Sequence, residues 1–404
     1  MQLLKDLARK SDLNLKQIIV FKFPMKNLLT ISLLLLSASL SVSAQLRPDE
    51  LQSEYRPLFR PDTLSICFIG DVMLHQAQID RARLSEGNWD FSPWFEYLED
   101  RLRAADVAIA NMEFTLPGAP YSGYPCFGAP DQYAQWVADC GVDIFLAANN
   151  HIFDKGTAGA MRTLEKYREM EAARGIRFTG LSGDGNEYSR TNPLIFTVNG
   201  FRIALVNFTY GTNASLKKDW PKVNRMSDKD EIRAAVERAE RLGADLIIAL
   251  PHWGEEFKLK HSKDQEEMAD FLVGAGVDAI IGTHPHVVQD TTSISRSILH
   301  RGRVPRAPVV YSLGNSVSNM SAPNTQLELL VNLRIARDYG GFIKILPVEL
   351  VWLWCSRPGG FRDNYTVIPI KDFIGKSKLW SGKFDYDNMV DTFKRVSGAQ
   401  SGEK

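Results

Sequence analysis

The chain has 404 residues, of which 44% are apolar, 24% charged and 10% aromatic, an ordinary composition for a globular protein. Lys and Arg together number 48, as do Asp and Glu, so the formal net charge is zero. This balance excludes a general electrostatic attraction to nucleic acid or to a membrane surface. The length allows one large α/β domain or two modest ones.

The N-terminal segment has the parts of a secretory signal peptide. Met25 and Lys26 precede a short apolar run, and small residues lead to a predicted cleavage point after Ala44. We predict that residues 1–44 are an N-terminal extension and a signal peptide starting at Met25, and that the chain is exported to the periplasm or cell surface. An uncleaved membrane anchor is the alternative, although the apolar run is short for a membrane span. Residues 45–62 are polar, contain Pro and are predicted to be a linker.

Short apolar runs then alternate with helix-like stretches. The runs that predict buried strands are Ile66–Ile69, Val107–Ala110, Ile144–Ala147, Ile203–Val206, Leu246–Leu250, Ala279–Ile281 and Val309–Leu313. The stretches that predict helices are Trp94–Ala104, Asp131–Asp139, Ala158–Ala173, Asp228–Leu242 and Gln265–Gly274. This alternation favours a mainly parallel sheet that helices cover on both faces.

The pattern changes after residue 325. Leu327–Ile335 and Gly341–Leu353 predict longer strands with no helix between them. These strands fit either an antiparallel part of the same domain or a second sheet. We expect one domain over residues 63–396, followed by a small, polar and disordered tail at residues 397–404.

The four cysteines show no spacing typical of a metal site. Cys67 lies within an apolar run and is predicted to be buried in the core. Cys126 and Cys140 are candidates for a disulfide, which export would permit.

Side chains of the kinds that bind metals follow the predicted strands at their C-terminal ends. Five of the seven histidines fall at these positions or beside them. Because open α/β sheets place ligand sites at the carboxyl ends of their strands, we expect these side chains to share a crevice. In chain order they are Asp71, His75, Asn111, Glu113, Asn150, His151, Asp154, His252, Glu255, His284, His286 and Asn315.

A mixed set of carboxylate, carboxamide and imidazole groups suits divalent Mn, Fe or Zn, and suits Mg or Ca poorly. These residues are numerous enough for one or two ions, and a pair of ions can clamp the attacking and leaving oxygens of a phosphoryl group. Each motif alone has a structural interpretation. The Gly70-Asp71 pair could be a turn, and Asn149, like Asn150, could cap a helix, a role that we expect for Asn149.

Six ordered blocks resemble the CapA-like family of bacterial capsule and poly-γ-glutamate synthesis proteins, which is similar to the calcineurin-like metallophosphoesterases. The blocks run from about Ser65 to Val317, and their order makes them more specific than any single block. They are Gly70–Leu74, Asn111–Glu113, Ala148–His151 with Asp154 and Gly156, His252–Glu255, His284–Val287 and Ser312–Asn315.

The resemblance implies an α/β fold, a metallophosphoesterase-like four-layer α/β/β/α sandwich with mixed sheets. It implies that the metal ligands are Asp71, Glu113, Asn150, His252, His284 and His286. It makes His151 a general acid that faces the leaving group, with Asp154 as its orienting partner. Residues expected to line the substrate cleft are Asn111, Tyr210, Asn213, Glu255 and Asn315.

The sequence departs from the metallophosphoesterase pattern at Met73, where those enzymes commonly carry a His two residues after the first Asp. A thioether is a poor ligand for hard divalent ions. His75 is therefore a candidate additional ligand. A centre with a single ion, and a binding site without turnover, are the alternatives.

The leading hypothesis is an exported metal-dependent hydrolase that acts on a phosphorylated or polyanionic envelope substrate. One alternative is a non-catalytic factor in polymer assembly or transport, working with other capsule-synthesis proteins. Another is a metal-dependent amide hydrolase that acts on a γ-glutamyl polymer. Nucleic acid is not expected as a partner, because the neutral chain has no evident basic groove. Membrane contact is expected only through an uncleaved signal anchor.

Overall fold

The computed structural model describes residues 63–214, 219–296, 305–338 and 340–401, so the predicted signal peptide and linker lie outside the described residues. The strands, in chain order, are β1 (Thr63–Val72), β2 (Arg83–Ser85), β3 (Asn88–Trp89), β4 (Val107–Met112), β5 (Ile144–Leu146), β6 (Arg177–Thr179), β7 (Leu181–Ser182), β8 (Leu194–Val198), β9 (Phe201–Thr209), β10 (Lys222–Val223), β11 (Leu246–His252), β12 (Ala279–Ile281), β13 (Thr291–Ser295), β14 (Arg306–Val310), β15 (Asn315–Val317), β16 (Leu327–Arg337), β17 (Ile343–Ile345), β18 (Glu349–Ser356) and β19 (Thr366–Pro369).

The α-helices connect and cover these strands. They are α1 (Gln76–Ala82), α2 (Glu99–Ala104), α3 (Asp131–Asp139), α4 (Gly156–Arg174), α5 (Gly185–Thr191), α6 (Lys229–Arg241), α7 (Lys263–Ala275), α8 (Ile370–Phe373) and α9 (Lys383–Ser401). Within the described ranges, none of the helices is both long enough and apolar enough to cross a membrane.

The strands form two large mixed sheets. In the first sheet the order is β19-β18-β16-β1-β4-β5-β6, with β15 beside β1 and β17 beside β16. Strands β1, β4, β5 and β6 are parallel, whereas β16, β18 and β19 pair antiparallel. In the second sheet the order is β13-β14-β12-β11-β9-β8. Its four inner strands are parallel and its two edge strands are antiparallel.

Side chains that alternate along the strands separate three apolar cores. Ile66 and Phe68 of β1 belong to the core between the two sheets. Cys67 and Ile69 belong to a core with helices α2, α3 and α4. On the far side of the second sheet, Ile247 packs with helices α6 and α7. The layers are therefore helix, sheet, sheet and helix, which confirms the four-layer α/β/β/α sandwich implied by the resemblance.

The structure corrects three details of the sequence prediction. The parallel strands divide between two sheets, because one face of each sheet packs against the other sheet rather than against helices. The predicted strand Gly341–Leu353 is two strands, β17 and β18, separated by a segment with Pro347, which has no amide hydrogen to donate. Helix α9 includes Ser397–Ser401, where a disordered tail was expected, and the Ser397 hydroxyl donates to the Phe393 carbonyl.

The four cysteines are free. The disulfide considered between Cys126 and Cys140 is not formed, because Cys126 is exposed while Cys140 is buried in the core beside α3. Cys67 is buried in the same core, as predicted.

A buried carboxyl group joins β16 to β1. Glu328 is fully buried, and its Oε1 accepts hydrogen bonds from the Gly70 amide and the Ser316 hydroxyl. Its Oε2 has no hydrogen-bond partner among the described residues. Burial raises the pKa of Glu328 from 4.5 to about 8, because desolvation disfavours the charged carboxylate.

We expect the substitution Glu328→Gln to flatten the dependence of stability on pH. In the wild-type protein this carboxyl group contributes to the free energy of unfolding, because the folded state binds its proton more tightly than the unfolded state does. The contribution is fully present below pH 4.5 and is lost as the pH rises through about 8. The loss reaches at most about 5 kcal/mol, at about 1.4 kcal/mol per pKa unit. Urea unfolding at a series of pH values measures this loss in the free energy of unfolding.

Glu349→Gln is the control, because Glu349 is an exposed carboxylate on the neighbouring strand β18. This variant should keep the wild-type slope. Equal slopes in the wild-type protein and in Glu328→Gln would contradict a protonated, buried Glu328.

Candidate metal centre

The predicted site residues meet where strands from both sheets end. Strands β1, β4 and β5 belong to the first sheet, and β11 and β12 belong to the second. Their C-terminal ends and the loops that follow supply Asp71, Glu113, Asn150, His151, His252, His284 and His286. The loop that follows β12 stays paired with the end of β11 through a bridge between Thr283 and His252. Parallel topology thus brings distant segments together at one edge of the fold.

Asp71 is fixed between two asparagines. In the sheet register, Asp71 lies opposite Asn111 of β4 and Asn315 of β15. Asn111 Nδ2 donates to Asp71 Oδ1 at 2.7 Å, and the His284 amide donates to Asp71 Oδ2 at 3.2 Å. A side chain at Gly70 would collide with the backbone carbonyl just before β15, so glycine allows the two strands to approach here.

A second carboxyl group, Glu113, is buried beside Asp71. Its Oε2 lies 3.4 Å from Asn111 Nδ2. Burial and the negative charge of Asp71 raise the pKa of Glu113 well above its usual value. Burial also acts to raise the pKa of Asp71, but the hydrogen bond and charge of His286 outweigh it, and that pKa lies below its usual value. The two carboxyl groups therefore differ in how readily they ionise.

Three buried imidazoles surround this pair. His252 Nε2 lies 3.9 Å from Glu113 Oε1, and His286 Nε2 lies 3.7 Å from the same atom. His286 Nδ1 lies 3.3 Å from Asp71 Oδ2. Burial lowers the pKa of His252 to about 3 and that of His284 well below its usual value. Neutral imidazole is the form that binds metal.

Polar neighbours orient the rings. His252 Nδ1 lies 3.0 Å from Thr283 Oγ1, and His252 Nε2 lies 3.0 Å from Asn150 Oδ1. His286 Nδ1 lies 2.9 Å from Asn315 Oδ1. Partners of this kind fix the tautomer and orientation of histidines that bind metal. The Asn150 amide oxygen is therefore within the cluster, where the sequence predicts a ligand.

The described residues include three groups of three side chains that could hold a metal ion. Within each group every residue offers one ligand atom, and these atoms lie within 4.8 Å of one another. They are Asp71–Glu113–His286, Glu113–His252–His284 and Glu256–His284–His286. Glu113 belongs to the first two groups, so its carboxyl group would serve whichever of them held a cation.

The atoms of the cluster fit a divalent cation. Glu113 Oε1 and His284 Nδ1 are buried, and neither has a hydrogen-bond partner in the described part of the chain. A buried polar atom without a partner needs a physical explanation, and a bound ion is one such explanation. The combination of carboxylate oxygen and imidazole nitrogen suits Mn, Fe or Zn.

His75, the candidate additional ligand, belongs to none of these three groups. It lines the cleft next to α1 and packs edge-on against Phe127, with the ring centroids 5.1 Å apart. Its Nδ1 accepts a hydrogen bond from the Asn319 amide at 3.2 Å. The structure therefore gives His75 the position of a lining residue and does not place it as a replacement for the ligand missing at Met73.

His151 stands at the edge of the cluster. Its Nε2 lies 3.8 Å from Glu113 Oε1, and its Nδ1 lies 2.7 Å from Asp154 Oδ2. The same Asp154 oxygen accepts a hydrogen bond from the Phe127 amide at 2.7 Å. Asp154 thus holds both the imidazole and the loop that covers it. Asn213 Nδ2 approaches the ring at 3.4 Å.

A cleft of about 710 Å³ opens in front of these residues, and His151, Asp154 and Asn213 line it. Tyr210 lies nearby, with its ring centroid 4.5 Å from that of His284. Asn149 has a structural role, because its side chain donates to the Met112 carbonyl, but it does not cap α4, which has Lys155 at its N-cap.

The cleft differs from the prediction at four residues, one of which is Tyr210, since it lies beside His284 but is not among the residues that line the cleft. Asn111 and Asn315 are fully buried and flank Asp71, because they stand on the strands beside it. Glu255 is exposed but does not line the cleft, whereas its neighbour Glu256 does. Residue spacing offered no signal that distinguishes Glu255 from Glu256, since the choice depends on the backbone turn that follows His252.

The family model described as "Bacterial capsule synthesis protein PGA_cap" matches residues 65–320. This match covers more than half of the chain, and the chain belongs to this family. It is 25% identical over 340 residues to the capsule biosynthesis protein CapA of Bacillus anthracis, a match covering 80% of this chain and 77% of the relative. It is also 25% identical over 305 residues to the PGA biosynthesis protein CapA of Bacillus subtilis (strain 168), covering 72% and 73%.

Three solved structures are similar to this chain over most of its length. The NAD nucleotidase of Haemophilus influenzae matches with a TM-score of 0.43 and 14% identity over 82% of this chain, which spans 62% of that protein. The 5′-nucleotidase precursor of Thermus thermophilus matches with a TM-score of 0.43 and 14% identity over 83% of this chain, which spans 59% of it. The calcineurin-like phosphoesterase YfkN of Bacillus subtilis matches with a TM-score of 0.43 and 13% identity over 84% of this chain, which spans 97% of that one.

We expect Mn²⁺ to raise the melting temperature of chelator-treated protein, and Glu113→Gln to remove most of that rise. Glutamine keeps the shape of the side chain but lacks the charge on which two ligand groups depend. A cation at a hundredfold excess over its Kd stabilises the folded state by about 2.7 kcal/mol if it binds only that state. Glu237→Gln, at an exposed site on α6, should keep the full rise. An undiminished rise in Glu113→Gln would exclude Glu113 from the centre.

Proposed function

We propose that this protein is an exported, metal-dependent hydrolase of the phosphoesterase kind that serves the synthesis of a capsule or related envelope polymer. The observation that carries the proposal is the position of His151, 3.8 Å from Glu113 at the edge of the ligand cluster. A proton donor beside a cation site is what phosphoester cleavage requires. The family match and the relatives named for capsule and PGA biosynthesis support the envelope-polymer context.

The ligands proposed for one or two divalent cations are Asp71, Glu113, Asn150, His252, His284 and His286. A bound cation would supply positive charge for the attacking and leaving oxygens of a phosphoryl group. Among the described residues that line the cleft, none is Lys or Arg. An anionic group in this cleft would therefore depend on the cation and the imidazoles for its binding.

The chain itself supplies the proton chemistry. Because Asp154 Oδ2 lies 2.7 Å from Nδ1 of His151, Nδ1 is the ring nitrogen that donates to Asp154, and Nε2 faces Glu113 and the cleft. In the protonated ring, Nε2 donates its proton to the oxygen of the leaving group, while Asp154 stabilises the positive charge. The Phe127 amide fixes Asp154 and thereby the direction of this transfer.

Export to the periplasm or cell surface is part of the proposal and rests on the signal-like segment at residues 25–44. The proposed substrate is a phosphorylated or polyanionic envelope molecule, and other capsule-synthesis proteins are the proposed partners. The zero formal net charge supports the exclusion of nucleic acid as a partner.

A non-catalytic role in polymer assembly is the second candidate. Met73 favours it, because this residue lines the cleft with a thioether where related enzymes commonly carry a ligand. His75 does not join the ligand groups in its place. In this role the cation would hold carboxylates or phosphates of the polymer without cleaving it.

We expect the Mn²⁺-loaded protein to hydrolyse an aryl phosphate, and His151→Asn to lower kcat by roughly 10²–10⁴-fold, the usual contribution of a general acid. The metal content should stay unchanged, because His151 belongs to none of the three ligand groups. Steady-state kinetics and elemental analysis of the same samples measure both quantities.

His261→Asn is the matched control, since His261 stacks on Tyr311 and does not line the cleft. It should keep wild-type turnover. No turnover with Mn²⁺, Fe²⁺ or Zn²⁺ would reject the hydrolase and favour the assembly role. Cleavage of a γ-glutamyl polymer, but not of the aryl phosphate, would instead identify an amide hydrolase.

A further inference from the structure

Glu256 is the exposed member of the three ligand groups. The other members of these groups, Asp71, Glu113, His252, His284 and His286, are at most 2% exposed. Glu256 is exposed, lines the cleft, and offers a carboxylate oxygen within 4.8 Å of ligand atoms of His284 and His286. The ligand group of Glu256, His284 and His286 therefore connects the solvent-exposed cleft with the buried cluster.

The backbone fixes Glu256 next to the two histidines. The amide of Phe257, which follows Glu256, donates to the carbonyl of Pro285, which lies between His284 and His286, at 2.9 Å. Phe257, His284 and His286 have φ angles of 65°, 100° and 58°. Such left-handed backbone is unfavourable for residues other than glycine and is concentrated at functional sites.

A second observation points to a ligand at this place. His284 is 2% exposed, and its Nδ1 has no hydrogen-bond partner among the residues that the structure describes. A group of one carboxylate and two imidazoles binds divalent first-row metals. The carboxylate of Glu256 and the unpartnered nitrogen of His284 could therefore bind the same divalent cation.

We infer that Glu256, His284 and His286 form an outer cation subsite through which divalent first-row metal ions are loaded into the buried centre. The outer group shares His284 with Glu113 and His252, and it shares His286 with Asp71 and Glu113. Glu256 would hold an incoming cation at the mouth of the cleft, and the shared residues His284 and His286 would pass it to the buried ligands. The inference rests on the metal centre of the proposed function but assigns Glu256 to loading rather than to turnover.

Rates of metal uptake test this inference. Chelator-treated protein is mixed rapidly with Zn²⁺ in the presence of a zinc-sensitive dye, and the final zinc content is measured separately by elemental analysis. We expect Glu256→Gln to slow uptake by roughly tenfold or more, because it removes a charge that concentrates cations at the mouth. The final zinc content should equal that of the wild-type protein, since the inner groups are intact.

Glu255→Gln is a matched control, because it removes the same charge from the adjacent exposed residue, which does not line the cleft. It should take up zinc at the wild-type rate. Unchanged uptake in Glu256→Gln, or equal slowing in both variants, would overturn the inference. Loss of bound zinc at equilibrium in Glu256→Gln would also overturn it, since Glu256 would then belong to the permanent centre.

The two proposals fail in different ways. If uptake does not depend on Glu256 while the loaded protein hydrolyses aryl phosphate, the loading role is wrong and the hydrolase stands. If the loaded protein shows no hydrolysis while uptake still depends on Glu256, the hydrolase is wrong and the loading role stands. A wild-type protein that binds no divalent cation would reject both.

Discussion

Two carboxyl groups, Asp71 and Glu113, lie side by side where no solvent reaches them, and the rest of the site is arranged around this pair. Like charges that are buried together are unfavourable unless donors or cations compensate them. Asn111 donates to Asp71 and approaches Glu113, while the imidazoles of His252 and His286 approach from the opposite sheet. The proposed chemistry therefore depends on a pair of groups whose burial is by itself unfavourable.

The two-sheet architecture provides that compensation. The first sheet contributes the carboxylates and their asparagines, and the second contributes His252, His284 and His286. Neither sheet has the complete ligand set, so the packing of the sheets on their shared core also assembles the centre.

Much of the site was predictable because it follows from strand order. Apolar runs identify the strands, and polar residues directly after them identify the edge where ligands gather, as Asp71 and His252 show. The division into two sheets was not evident from the runs alone, because a buried strand has the same composition whether a helix or a sheet covers it. The choice of Glu256 over Glu255 depends on how the backbone turns after His252, where Gly254 and Phe257 both have left-handed φ angles, and residue spacing gives no signal for such a turn.

Strand β16 has a consequence for the recognisable part of this protein. The family match ends at residue 320, whereas β16 begins at Leu327 and pairs with β1 from Thr63↔Ala336 to Phe68↔Val331. A fragment that stops at the end of the match would lack β16, so the backbone donors and acceptors of β1 that face it would be unpaired. Such an exposed strand edge promotes aggregation. The region that defines family membership is therefore shorter than the unit that folds, and its chemistry depends on sequence outside it.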